Sequence, residues 1–115
     1  MESRAMWVMV AHSHLAYREV IAIAFKEFRP HLEVVVVEPE NLDKEFASAL
    51  PHLVVCSRVT DLVERHTLAW IELYPDNNAT ESVVSLAGEK TIHPNMDFET
   101  LLSVLDETEH LYETA

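Results

Sequence analysis

Residues 6–11 (MWVMVA), 32–37 (LEVVVV) and 53–56 (LVVC) are short runs of β-branched or large apolar residues without clean polar alternation. A strand with one wet face alternates, so runs of this kind suit strands buried on both faces, with a layer of structure on either side of a sheet. Between the first two runs Val20, Ile21, Ala24, Phe25 and Phe28 recur at helical steps, forming the stripe of an amphipathic helix that Pro30 ends. After Pro39, Leu42, Phe46, Ala49 and Leu50 repeat that spacing, and Pro51 stops it before the third run. Phe98, Leu101, Leu102 and Leu105 mark a last helix, with Asp97 placed to cap it and Glu99 placed favourably against its dipole. Strands alternating with helices over short connections predict a three-layer α/β domain with a mainly parallel sheet and right-handed crossovers.

The stretch 59–94 departs from that repeat. Residues 68–74 (LAWIELY) read as a fourth strand, but the short gap after the third run leaves room for only a shortened third helix. Beyond a turn signal at Asp76-Asn77-Asn78, residues 81–86 and 90–93 flank Ala87-Gly88 and predict a β-hairpin.

At 115 residues the chain can bury one apolar core, which predicts a single domain over 1–115. Its one glycine, Gly88, cannot build a Gly-rich nucleotide loop, because such loops need several positions without a Cβ near the phosphates. Its one cysteine, Cys56, can neither close an internal disulfide nor supply a Cys-rich zinc knuckle, and it fits a reducing compartment. The longest apolar stretches, such as 20–25, fall far short of the roughly 20 residues of a membrane span. The first residues lack the pattern of a cleaved leader, so a cytoplasmic chain off the membrane is expected. Formal net charge is −12, and residues 91–115 hold six acids with no Lys or Arg. Nucleic-acid binders gain affinity by replacing counterions with Lys and Arg, so no nucleic-acid partner is expected.

Three segments carry a family resemblance. Residues 10–19 (VAHSHLAYRE), 51–57 (PHLVVCS) and 93–102 (HPNMDFETLL) resemble three parts of the receiver domain of bacterial two-component response regulators. These parts are the first strand with its acidic pair, the strand ending in the phosphorylated Asp, and the Lys-Pro step with the last helix. The resemblance implies a flavodoxin-like fold, here with the third helix shortened and the fourth replaced by a β-hairpin. In a receiver the acidic pair and the acceptor Asp hold Mg²⁺ through hard carboxylate oxygens. The matching positions are His12 and Ser13 for the pair and Ser57 for the acceptor, while His93 takes the place of the Lys. The switch hydroxyl falls on Leu73 or Tyr74, and the switch aromatic on Lys90. Ser57 cannot form the acyl phosphate that an Asp forms. The resemblance therefore implies a degenerate, non-catalytic receiver without a cofactor or metal, working through a protein partner or a second copy of itself. Receivers commonly dimerise through their last helices and strands, which implies a homodimer.

A competing reading starts from the crevice that open parallel sheets present at the carboxyl ends of their strands. His12, Ser13, Ser57 and His93 are expected there, with His14 nearby. Three imidazoles could hold Zn²⁺, Ni²⁺ or Cu²⁺ with an open position, although no H-x-x-x-H spacing supports it. A one-residue change of strand register would turn Cys56 instead of Ser57 toward that crevice, where Arg58 and a histidine could favour a thiolate. This reading makes the chain a small metal-binding protein or enzyme using His12, His14, His93, Cys56 and Ser57. The plainer one has the imidazoles filling the crevice and hydrogen-bonding loop backbone, with Cys56 as a core residue.

Overall fold

The computed structural model describes residues 5–74 and 81–114. Pro75 and the turn expected at Asp76-Asn77-Asn78 lie outside the described residues, as do Glu2 and Arg4 at the start of the chain. The elements run β1 (Trp7–Ala11), α1 (Leu15–Phe28), β2 (Glu33–Val36), a 3₁₀ turn (Pro39–Asn41), α2 (Leu42–Ala49), β3 (Leu53–Cys56), α3 (Asp61–His66), β4 (Ala69–Glu72), β5 (Glu81–Leu86), β6 (Glu89–Pro94) and α4 (Phe98–Thr114). They form one six-stranded sheet in the order β2-β1-β3-β4-β5-β6.

Each central strand divides its side chains between two cores. Val8, Val10, Leu53, Val55, Ala69 and Ile71 pack with Ile21 and Phe25 of α1 and Leu101, Val104 and Leu105 of α4. On the opposite face Met9, Ala11, Val54, Cys56 and Trp70 pack with Leu42 and Phe46 of α2 and Val63 of α3. This is the three-layer arrangement that unalternating apolar runs require, because neighbouring side chains of one strand point to opposite faces.

The sheet is mixed, which corrects the expectation of a mainly parallel one. β1 runs parallel to β2 and β3, and β3 to β4, whereas β5 is antiparallel to both β4 and β6. A parallel return needs a crossover of about a dozen residues or more, and the connections on either side of β5 are shorter than that. The hairpin predicted around Ala87-Gly88 is present. Its two turn residues have φ of 51° and 89°, the pair of positive values that a type I′ turn demands.

Two further expectations shift. α1 begins at Leu15 and buries Ile21, Ala22 and Phe25, while Val20 and Phe28 of the expected core stripe stand exposed. Leu50 is the C-cap of α2 rather than part of its buried face, with φ of 49°. The caps follow from side-chain chemistry. Thr60 Oγ1 accepts from Val63 N at the start of α3, and Asp97 Oδ1 accepts from Thr100 N at the start of α4, at 3.2 and 2.8 Å.

Candidate functional site

Register determines what gathers at the carboxyl ends of the parallel strands. Ala11 pairs with Cys56 and Cys56 with Glu72, and all three belong to the last rungs of β1, β3 and β4. The next residues along, His12, Ser57 and Leu73, therefore meet one rung higher and turn to the α1 and α4 face.

His12 is nearly fully buried and clamps two loops. Its Nε2 lies 2.6 Å from the Leu73 carbonyl oxygen, and its Nδ1 accepts the His14 N–H at 3.0 Å. A carbonyl can only accept and an N–H only donate, so the ring is held as the neutral Nε2–H tautomer. Burial holds the imidazole below its ordinary pKa, the Leu73 carbonyl pulls the other way, and the charges of His14 and Arg18 add to the lowering. Beside it the Ser57 hydroxyl accepts from Ser13 N at 3.1 Å, and Arg18 donates to the His12 carbonyl at 3.4 Å. His12, Ser13, His14 and Ser57 are thus brought together: the His12 and Ser57 side chains bond to loop backbone, while Ser13 and His14 take part through their main-chain N–H groups and stand exposed.

Aromatic rings flank this cluster. The Tyr17 ring stacks on His14 at 4.5 Å between centroids, meets His12 edge-on at 5.3 Å and approaches Tyr74 at 6.1 Å. Tyr74, with φ of 45°, donates its hydroxyl to the Met96 carbonyl, and burial raises its phenol above the ordinary range. The family resemblance marks Tyr74 only as a candidate switch position beside Leu73, and Tyr17 is not among the residues it places in the crevice. The spacing of His14 and Tyr17, three residues apart across the start of a helix, is the signal that could have found one of them. Nothing local announces that Tyr74 reaches the loop before α4.

His93 is not part of the cluster, which corrects its expected place in the crevice. It sits on the edge strand β6, with β3, β4 and β5 between it and β1, and strand spacing alone puts about 19 Å across those four steps. Its Nε2 contacts Thr91 Oγ1 at 2.8 Å on the same strand. Cys56 is not a crevice group either. The register turns it into the α2 and α3 core, where its Sγ lies 3.6 Å from the Ile71 carbonyl and burial, aided by the Glu72 charge, pushes its thiol up to about 12. Ser57 is the residue that faces the crevice, as the unshifted register implies. Lys90 is likewise distant, pairing with Glu64 at 2.7 Å and lying over the Trp70 ring.

A carboxylate does stand at the end of β4. Glu72 points to the α2 and α3 side and accepts from Val59 N at 2.9 Å, tying down the loop after β3. Among the described residues no three His, Cys, Asp or Glu side chains converge in a way that could hold a metal ion. Also among the described residues, no helix is long and apolar enough to cross a membrane.

The architecture is thus α/β, with a mixed sheet between two helical layers and a hydrogen-bonded histidine-serine cluster at the mouth of its parallel half. Comparison of the chain with protein-family models, with curated proteins and with solved structures returns no match.

Proposed function

We propose that the chain is a degenerate receiver-like signalling module, flavodoxin-like in its parallel half, that acts by protein contact and independently of phosphorylation. The observation that carries this reading is the use of the side chains at the mouth of the sheet. Where a receiver gathers carboxylates for Mg²⁺ and a phosphoryl group, His12 is bound to the Leu73 carbonyl and His14 N–H, and Ser57 is bound to Ser13 N. Such a cluster has no free anionic oxygen for a hard cation and no acyl-forming carboxylate. It works instead as a brace that fixes the β1–α1 loop against β3 and β4.

Strand order supports the same reading. β2-β1-β3-β4, with helices on both faces, is the beginning of the 2-1-3-4-5 order of flavodoxin-like sheets. The β5–β6 hairpin then stands where that fold would continue with a helix and a parallel strand. On this reading the module has no catalytic turnover and no cofactor. It works in the cytoplasm, its partner is a protein and not a nucleic acid, and His12, Ser13, Ser57 and His93 are relics of the phosphorylation machinery.

Exposure of the full chain to acetyl phosphate with Mg²⁺, followed by intact-mass measurement, tests this. No labile phosphoryl adduct is expected. An adduct that is lost in hydroxylamine would mark an acyl phosphate and overturn the reading. Calorimetric titration with Zn²⁺ and Ni²⁺ addresses the metal alternative, and micromolar binding abolished by His12→Ala would establish it instead.

A further inference from the structure

Five of the eight large apolar side chains that stand exposed among the described residues lie on α1: Leu15, Tyr17, Val20, Ile23 and Phe28. A helix packed on a sheet ordinarily turns a polar face to water. α1 instead buries Ile21, Ala22 and Phe25 on one side and shows Val20 at 64% and Ile23 at 66% exposure on the other. The stripe continues through Ala24 into a groove of about 170 Å³ between α1 and the start of α4, lined by Tyr17, Val20, Tyr74, Met96 and Phe98. So many large apolar side chains exposed on one helix, interrupted only by Glu27, mark an interaction surface.

The order of residues along the helix identifies what covers it. Tyr17 and Phe28 are equidistant from the midpoint between Ala22 and Ile23, and so are Glu19 and Lys26. At 100° per residue, positions seven or eleven apart return to nearly the same side of a helix. Glu19 and Lys26 therefore share one border of the exposed stripe, and Tyr17 and Phe28 share the other. When two copies of a helix pack antiparallel about a two-fold axis, each border meets the same border of its mate in reversed direction. Glu19 of one copy then faces Lys26 of the other, and Tyr17 faces Phe28, with Ala16, Val20, Ile23 and the exposed Glu27 between them. The Glu19–Lys26 border is thus complementary to itself in charge, and the Tyr17–Phe28 border sets aromatic ring against aromatic ring. Among the described residues neither Glu19 nor Lys26 is in an ion pair within the chain.

Net charge favours the same surface. A chain at −12 repels its own copies over most of its area. Along α4 lie Glu99, Asp106, Glu107, Glu109 and Glu113 with no Lys or Arg, whereas along α1 Arg18 and Lys26 balance Glu19 and Glu27. A second copy can approach at α1 without net repulsion.

We propose that α1 is a homodimerisation surface, pairing antiparallel with α1 of a second copy through Val20 and Ile23 and flanked by reciprocal Glu19–Lys26 contacts. This deepens the protein-contact reading by naming one surface and one partner, and it stands on α1 rather than on the crevice, so either can fail alone. A helix of 14 residues is about 21 Å long, which makes the interface a small one.

Sedimentation equilibrium of the full chain from about 1 to 300 µM tests the proposal, with circular dichroism and urea midpoints as folding controls. A monomer–dimer equilibrium is expected, and Ile23→Glu abolishes it while its unfolding midpoint matches that of wild type measured at concentrations low enough to be monomeric. Lys26→Glu, which sets like charges against Glu19 of the mate, weakens the dimer at least ~10-fold. The double exchange Glu19→Lys with Lys26→Glu restores it, because the reversed pair is again complementary across the axis. A chain that stays monomeric throughout, a dimer indifferent to Ile23→Glu, or one that the double exchange leaves as weak as the single variant, overturns the proposal. In the first case the apolar face belongs to a different protein.

Discussion

Replacing His12 tests the brace at the mouth of the sheet directly. The ring is 3% exposed, and its two nitrogens hold the Leu73 carbonyl and the His14 N–H at 2.6 and 3.0 Å. His12→Ala removes two hydrogen bonds worth about 1 kcal/mol each and leaves a buried acceptor short of its donor, so a loss of about 2–4 kcal/mol is expected. His12→Asn retains an acceptor near the Nδ1 position for the His14 N–H and should recover about 1 kcal/mol of that loss. The sign of the pH dependence follows from the tautomer. Burial holds the folded imidazole below the ordinary value of 6.5, so the native chain refuses a proton that the unfolded chain accepts. Above 6.5 both states are neutral and the contribution of His12 is complete. As pH falls from there toward the folded value, the contribution is lost at up to about 1.4 kcal/mol per pH unit, and below the folded value it levels off. Urea unfolding followed by tryptophan fluorescence at about pH 7.5 and about pH 5.5 reads both quantities. The gap between wild type and His12→Asn should narrow at the lower pH. A gap that is constant or widens, or an alanine variant within about 0.5 kcal/mol of wild type, would refute the clamp.

Three other expectations follow from single residues. Cys56, with its thiol pushed up to about 12 inside the α2 and α3 core, should resist iodoacetamide in the native chain at neutral pH and react at the rate of a free thiol in urea; equally fast modification of the native chain would show that the thiol is reachable. Thr60→Ala removes the cap of α3 and the 2.6 Å bond from its hydroxyl to Asp43, and should lower stability by about 1 kcal/mol in urea melts, whereas Thr60→Asn should lose much less. Ala87, exposed at φ of 51° in the two-residue turn, carries left-handed strain that Ala87→Asn relieves, so the unfolding midpoint should rise by the equivalent of about 0.5–1 kcal/mol.

Periodicity and punctuation determined most of the architecture. Runs such as LVVC, which leave no face for water, required cover on both sides of the sheet, and Pro30 and Pro51 marked where helices stop. The short spacing around Ala87-Gly88 announced a hairpin, because two residues can join only antiparallel neighbours. What composition at the crevice could say was likewise legible: His12, Ser13 and Ser57 are there, and none of them is a carboxylate. Which side chains actually meet was a matter of register and strand order, neither of which is a local property. One rung of alignment buried Cys56 and exposed Ser57 to the crevice, and two inserted antiparallel steps carried His93 out of reach of His12. The same holds for α1. Its sequence is apolar around most of the helix, and only its packing on the sheet decided that Ile21 and Phe25 are inside while Val20, Ile23 and Phe28 face water, because a helix rich in apolar residues does not specify which arc it will bury.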